Sequence, residues 1–291
     1  IIMFADLALY HVKNSGKNHF AYFNNIMADH LRYKLDNKKI LQHAIENDGF
    51  RMVYQPQISL KTGRITGYEA LVRLKEYNIS PSDFIGAAEE NGLIIPLGRI
   101  ITKLVVEQMS IWNQLGFPPK PIAINFSVLQ LNDIGFKDYL QDLLSEYGVE
   151  PEYIELEITE HIFMEKKEAA IELINDLKTY GIRFTIDDFG AEYSSLSYLA
   201  SLPIDALKLD RELNHRFLDF ENPEVMESLI NFIHSLGKSV IAEGIEEFRH
   251  VKKLIKSSCD SVQGFYFSEP LDAEDVWKEY NKTYNLMQND E

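Results

Sequence analysis

Cysteine is nearly absent: Cys259 is the single one in 291 residues. It allows no internal disulfide and no CxxC metal motif, so a reducing compartment is expected. Long apolar runs are missing as well. The longest, Gly92 to Val106, is broken by Pro96, Arg99 and Lys103, which is too interrupted to span a bilayer. The opening Ile1-Ile2-Met3-Phe4 is short and has no basic segment before it, which argues against a secretory signal. A cytosolic location is expected, with tethering through a region N-terminal to this chain left open. Positive charge is scarce, with 29 Lys and Arg against 45 Asp and Glu, giving a net charge of −16. That balance argues against a polymeric nucleic acid partner, which must have its phosphates neutralised by basic side chains. It does not exclude a small anionic ligand, because a metal ion or an arginine can reverse the field inside a pocket. Neither GxxxxGK[ST] nor GxGxxG occurs, so ATP or dinucleotide redox binding is not indicated. Without HExxH or clustered imidazoles in the sequence pattern, a zinc peptidase is not expected either.

What is present begins with Arg183-Phe184-Thr185-Ile186-Asp187-Asp188-Phe189-Gly190. A short apolar run stops in two adjacent carboxylates and a glycine. Read as a buried parallel strand, it delivers both acids to the strand's C-terminal end, where open α/β sheets and barrels keep their chemistry. Two aspartates at one rim repel each other unless a cation lies between them, and a divalent metal is the simplest one. An isolated Asp-Asp pair would be a solvated turn. Here the pattern recurs along the chain.

From Phe50 the segments 50–56 and 64–71 flank Lys61-Thr62-Gly63, a hairpin signal. Helices are expected at 81–91, opened by Ser80 and Pro81, and at 96–115. Strands then alternate with helices: strands at 121–126, 153–158, 182–187, 206–209, 239–242 and 261–265, helices at 135–147, 164–180, 194–201, 222–236, 246–256 and 272–284. This rhythm predicts an α/β chain folded as a modified TIM (β/α)8 barrel, with an opening hairpin that allows the first strand to run antiparallel. An open doubly wound sheet is the alternative, since counting strands does not prove closure. Ahead of the barrel, residues 25–47 have helical apolar spacing. Residues 1–24 suggest a helix over 5–13 and a strand over 19–23, too little to close a core alone.

The strand ends carry Glu69, Asn125, Glu157, Asp187 with Asp188, Lys208 with Asp210, Glu243, and Gln263. Each alone has the reading of a polar residue where a strand meets water. Gathered on one rim, they suit metal and phosphate chemistry: carboxylates and an amide carbonyl for oxygen-liking ions, and a lysine to orient water or neutralise a phosphate.

Glu69-Ala70-Leu71-Val72-Arg73, after Tyr54-Gln55-Pro56, resembles the name-giving motif of EAL-domain cyclic-di-GMP phosphodiesterases. The resemblance runs on through Ala123-Ile124-Asn125-Phe126-Ser127, Glu155-Leu156-Glu157-Ile158-Thr159-Glu160 and Asp187-Asp188-Phe189-Gly190. It closes with Leu207-Lys208-Leu209-Asp210-Arg211, Ala242-Glu243-Gly244-Ile245-Glu246 and Gln263-Gly264-Phe265. It implies hydrolysis of cyclic-di-GMP to linear pGpG with two Mg²⁺ or Mn²⁺ ions. By motif, Glu69, Asn125, Glu157, Asp187 and Asp188 resemble metal ligands, with Asp187 bridging. Lys208 resembles the residue that holds or deprotonates the attacking water, and Glu243 another base or metal-site partner, so that Lys208, Glu243 and Glu69 form the implied catalytic set. Gln55, Leu71, Arg73, Asp210, Gln263 and Gly264 resemble substrate contacts, while Glu160 and Glu246 resemble residues that couple a loop to a homodimer contact.

Residues 1–24 resemble the C-terminal end of a GGDEF domain, through Ala5-Asp6-Leu7-Ala8-Leu9-Tyr10 and Lys13-Asn14-Ser15-Gly16-Lys17-Asn18. The GGDEF motif itself is not in the chain, so no cyclase activity is expected. The implied organisation is a remnant over 1–24, a linker helix over 25–36 and the barrel domain over 37–287. The chain departs from the family pattern at Ala191-Glu192, where Thr-Gly is usual, and at His161, where serine is usual. Glu192 removes backbone freedom and adds negative charge near the phosphates. The complete ligand set favours a hydrolase. The alternative is a catalytically weak or inactive receptor that binds the dinucleotide and signals by changing shape.

Overall fold

The computed structural model describes residues 4–5, 8–9, 12, 20–160, 162–163, 166–191, 199–219 and 224–286. The expected helices at 5–13 and 194–201 fall mostly outside these residues, as do Glu192 and His161. Two compact units are present, one of residues 1–50 and 74–97, the other of 51–73 and 98–291.

In the smaller unit, Asn24 opens helix α1 (Asn25–Glu46) by accepting a hydrogen bond from the Met27 amide, and the helix runs without a break through residues 36 and 37. Helix α2 (Pro81–Glu90) has Ser80 as its cap and Pro81 in its first turn, as the sequence predicts. It packs along α1, with Lys34 paired to Glu90 at 2.7 Å and Tyr33 donating to Asp83. Residues 20–23, the described part of the strand expected over 19–23, have no regular structure.

The larger unit holds the barrel. Strands β1 (Phe50–Ser59) and β2 (Ile65–Leu74) pair with each other. Then come α3 (Ile94–Gln114), β3 (Ile122–Asn125), α4 (Phe136–Tyr147), β4 (Ile154–Thr159), α5 (Lys167–Tyr180) and β5 (Arg183–Phe189). Strand β6 (Ala206–Leu209), helices α6 (Arg211–Asp219) and α7 (Glu224–Ser235), and strand β7 (Ser239–Ala242) follow. Helix α8 (Phe248–Lys256), strands β8 (Ser261–Val262) and β9 (Leu271–Asp272), and helix α9 (Ala273–Glu279) complete the order. Strands β2 to β8 pair in parallel succession. Strand β1 returns antiparallel onto β8 and so closes the ring. Closure rules out the open sheet, and the first strand is antiparallel, as the opening hairpin allows.

Successive side chains alternate across each strand. Leu156, Ile158, Phe184, Ile186, Leu207 and Leu209 fall on the opposite face from Glu157, Asp187 and Lys208, and all six are fully buried. The apolar set forms the layer between strands and helices, so the charged set is left for the barrel's interior.

Strands β1 and β2 run on to Ser59 and Leu74, past the expected 56 and 71, and helix α9 stops at Glu279 rather than 284; three further differences bear on the site. Strand β8 stops at Val262 rather than 265, because the chain turns at Gln263. Strand β9, which pairs antiparallel with β1 through Val53–Asp272 and Tyr54–Leu271, is not signalled by its two residues. Helix α6 was not expected at all, since only Asn214 and Leu218 of its nine residues are buried. It forms because Asp210 Oδ1 accepts from the amides of Glu212 and Leu213.

Candidate active site

Lys208 stands at the centre of the rim. Its ammonium lies 2.8 Å from Glu243 Oε1, 2.9 Å from Glu157 Oε2, 3.1 Å from Asp187 Oδ1 and 3.3 Å from Glu69 Oε2. Strands β2, β4, β5 and β6 supply Glu69, Glu157, Asp187 and Lys208, and the loop after β7 supplies Glu243. The parallel register sets their heights: Asn125 stands level with Glu157, Glu157 with Thr185, and Thr159 with Asp187.

Hydrogen bonds orient Glu69. Asn125 Nδ2 donates to its Oε1 at 2.8 Å, and Gln263 Nε2 donates to its Oε2 at 2.5 Å and to Gln55 Oε1 at 3.0 Å. Asp188 is aimed by its backbone: at φ 54° it occupies the left-handed region, beside a register shift between Ile186 and Phe189 where β5 meets β6. A bulge of this kind turns a side chain that strict alternation would direct elsewhere. As a result, one oxygen from each of Asp187, Asp188 and Glu243 lies within 4.8 Å of the others.

One ammonium cannot neutralise five carboxylates, and the proton affinities record the deficit. Burial, then the neighbouring acids, pushes Glu157 well above its usual range against the pull of Lys208. Burial with Asp187 and Glu69 nearby raises Glu243 to about 8, and partial desolvation beside Asp187 raises the more exposed Asp188 to about 6. Glu69 goes the other way: burial would raise it, but Lys208 with the Gln263 and Asn125 hydrogen bonds holds it below its usual value. For Lys208, burial would lower the ammonium, but the surrounding acids hold it well above its usual range. A site in this state takes up positive charge.

The donor set fits divalent ions. Both Glu157 oxygens, Asp187 Oδ1 and Lys208 Nζ are buried with no aligned hydrogen bond among the described residues, so Lys208 meets the acids as ion pairs by distance alone. Buried carboxylate oxygens without donors are what a hard cation requires.

Gln55, Glu69, Leu71, Asp188, Asp210, Glu243, Gln263 and Gly264, all anticipated, line one cavity of about 250 Å³. Arg211, Gly244, Glu246 and Phe265 complete its wall. Arg73 is not in that wall; its guanidinium donates to the Val72 carbonyl at 2.9 Å. Glu246 lies in the wall and pairs with Arg211 at 2.9 Å. Glu160 is half-buried just past β4.

Two contributors escaped the sequence reading. Asn214 Nδ2 donates to the carbonyls of Leu209 and Glu243, tying the end of β6 to the loop after β7. Glu155, half-buried two residues before Glu157, accepts from Thr185 Oγ1 at 2.5 Å. The i, i+2 spacing of Glu155 and Glu157 is the signal that would have found it.

A family model described as EAL domain matches residues 38–270. The chain belongs to the EAL domain family. It is 37% identical over 280 residues to the cyclic di-GMP phosphodiesterase PdeR of Escherichia coli, matching 94% of this chain and 42% of that protein. It is 32% identical over 276 residues to the bifunctional diguanylate cyclase/cyclic di-GMP phosphodiesterase MucR of Pseudomonas aeruginosa, matching 94% of this chain and 40% of that protein. It therefore spans about two-fifths of the length of these relatives. Among solved structures, the PaMucR phosphodiesterase in complex with c-di-GMP superposes with a TM-score of 0.77 at 31% identity, over 83% of this chain and 99% of the other. The EAL enzyme Bd1971 in its cAMP- and cyclic-di-GMP-bound form does so with 0.78 at 32%, over 88% and 71%. No helix among the described residues of this EAL domain is long and apolar enough to cross a membrane.

Proposed function

We propose that this chain hydrolyses one phosphodiester of cyclic-di-GMP to give linear pGpG, lowering that second messenger, with two Mg²⁺ or Mn²⁺ ions. The observation that carries the reading is the buried ring of acids around a single ammonium, opening into the cavity beside Gln263 and Gly264. PdeR carries the phosphodiesterase name and PaMucR was solved with c-di-GMP, which supports the same ligand here.

Glu69, Asn125, Glu157, Asp187 and Asp188 would hold the ions, with Glu243 close to Asp187 and Asp188. Bound divalent ions supply a more acidic water and neutralise charge that develops on phosphate oxygens. Gln263 and Asn125 keep the Glu69 carboxylate in one orientation. Lys208, held by four acids, orients the attacking water by donating to its oxygen, and Glu243 accepts the proton that leaves. The value of about 8 belongs to the ion-free site, and bound cations would lower it and leave Glu243 deprotonated and able to take that proton. Arg73 and Gln55 contact the ligand, Arg73 as a phosphate clamp after rotating away from Val72.

One observation favours a second reading, a cyclic-di-GMP receptor that does not cut. Lys208 itself answers four carboxylates, as a side chain would in a site that works without ions. Incubation with cyclic-di-GMP and Mg²⁺, Mn²⁺ or EDTA separates the two. Metal-dependent pGpG, lost in Glu69→Ala, supports the hydrolase; binding without metal-dependent cleavage supports the receptor.

The wider organisation belongs to the same proposal. Residues 1–24 would be the tail of a GGDEF domain, 25–36 a linker and 37–287 the catalytic domain, in a cytoplasmic homodimer joined near the loop after Asp188. Glu160 and Glu246 would couple that contact to the ions.

A further inference from the structure

Behind the loop that presents Glu243 is a second set of ligand-type side chains that the carboxylate ring does not use. His215 and Asp219 are four residues apart on α6 and so share one face of that helix. His250 comes from α8. One ligand atom from each lies within 4.8 Å of the other two. His250 Nε2 is 2.9 Å from Asp219 Oδ1, and His215 Nδ1 is 4.0 Å from Asp219 Oδ2. The two rings meet edge to face, with centroids 5.1 Å apart. The His250 ring is fully buried, and its Nδ1 has no hydrogen-bond partner among the described residues. His215 and Asp219 keep 29% and 42% of their side chains exposed, so the cluster opens to water on their side.

We propose that His215, Asp219 and His250 bind a zinc-class divalent ion, at a site separate from the acid ring. Imidazole nitrogens suit borderline d-block ions, whereas Mg²⁺ and Mn²⁺ prefer oxygen donors. Tetrahedral zinc with nitrogen and oxygen ligands needs donors about 3.3 Å apart. The separations here, 2.9 Å from His250 Nε2 to Asp219 Oδ1 and 4.0 Å from His215 Nδ1 to Asp219 Oδ2, fall on either side of that spacing. Water entering past Asp219 supplies a fourth ligand. Arg249 Nη2 competes, lying 3.1 Å from Asp219 Oδ1, but it is 57% exposed and also pairs with Glu247, so it swings away at little cost.

The position gives such an ion something to act on. His215 Nε2 is 3.4 Å from the Gly244 carbonyl, and the adjacent Asn214 holds the Glu243 carbonyl. An ion joining α6 to α8 would fix the backbone that presents Glu243.

The test is Zn²⁺ titration of the whole chain in saturating Mg²⁺, followed calorimetrically and by X-ray absorption at the zinc edge. One bound Zn²⁺ with two imidazole nitrogens among its neighbours is expected. Its affinity should fall by about tenfold or more in His215→Ala and Asp219→Asn, and rise in Arg249→Ala. Zinc surrounded by oxygen alone, affinity undiminished in His215→Ala, or no zinc uptake would each overturn the proposal. His215→Ala carries the test because His250 is buried and its replacement could unfold the chain; an unchanged melting temperature without zinc confirms that this variant is folded. The readout is ligand identity, so it does not depend on phosphodiesterase activity.

Discussion

Lys208 Nζ lies 2.9 Å from Glu157 Oε2, and the two side chains retain 1% and 0% of their exposure. A buried pair is a weak source of net stability, but removing one partner leaves the other charge without compensation. Here a single cation compensates four acids. Lys208→Met keeps the length and removes the charge, so it should destabilise the metal-free chain by about 3–5 kcal/mol. Urea unfolding in EDTA measures this, and added Mn²⁺ should recover part of the loss by supplying the missing charge. Turnover should fall by about 10²-fold or more even where metal restores the fold, because water loses its donor. Unchanged stability in EDTA would mean that the acids are neutral in the folded chain and do not need the ammonium.

Glu243 gives a pH dependence with a definite sign. Its folded value of about 8 exceeds its ordinary value of 4.5, so the folded chain holds a proton that the unfolded chain releases. The stability it contributes is fully present below about 4.5 and is lost as pH rises through about 8. Asp188, raised to about 6, adds in the same direction, but it is open to solvent and screening shrinks its share. Thermal melts in EDTA should therefore show stability declining from pH 5 to pH 9. Glu243→Gln should flatten the upper part of that decline. Mn²⁺ should oppose it, since ions take the deprotonated carboxylates. A metal-free melt that rises over this window, alike in the parent chain and in Glu243→Gln, would contradict this account.

The acids were legible because each follows an apolar run: Glu69, Glu157, Asp187 and Glu243 come from separate strands or the loop after one, and the pairing that closes the barrel brings all four within 3.3 Å of the Lys208 ammonium. Their roles in the ring were less legible. That Lys208 centres the ring depends on strand stagger, which no single segment encodes. That Glu243 joins Asp187 and Asp188 depends on the left-handed backbone at Asp188, an unusual conformation for a residue other than glycine. Helix α6 left no apolar stripe to read, since its inward face is Asn214 and Leu218. Its polar residues are instead committed to the Leu209 carbonyl nearby and, across long stretches of sequence, to the Glu243 carbonyl and the His250 cluster.

Gly264 is constrained by the backbone beside it. A Cβ placed there would lie 2.1 Å from the Ile245 carbonyl oxygen and 2.4 Å from its amide nitrogen. The glycine's own carbonyl accepts from the Phe267 and Ser268 amides, and Ile245 exchanges hydrogen bonds with Gln263 and Tyr266, so neither strand of this contact can withdraw freely. Gly264→Ala therefore has to push apart the two loops that carry Gln263 and Glu243. Overpacking of this kind costs about 1–3 kcal/mol, and denaturant unfolding should show a loss of that size. The larger effect should appear in the site. Displacing Gln263 removes a donor from Glu69, so metal affinity should fall together with stability. Gly86 supplies the control, because a Cβ there meets nothing within 4 Å, and Gly86→Ala should leave metal affinity unchanged. If Gly264→Ala kept both stability and metal affinity, the close approach of these two loops would not be what holds Gln263 against Glu69.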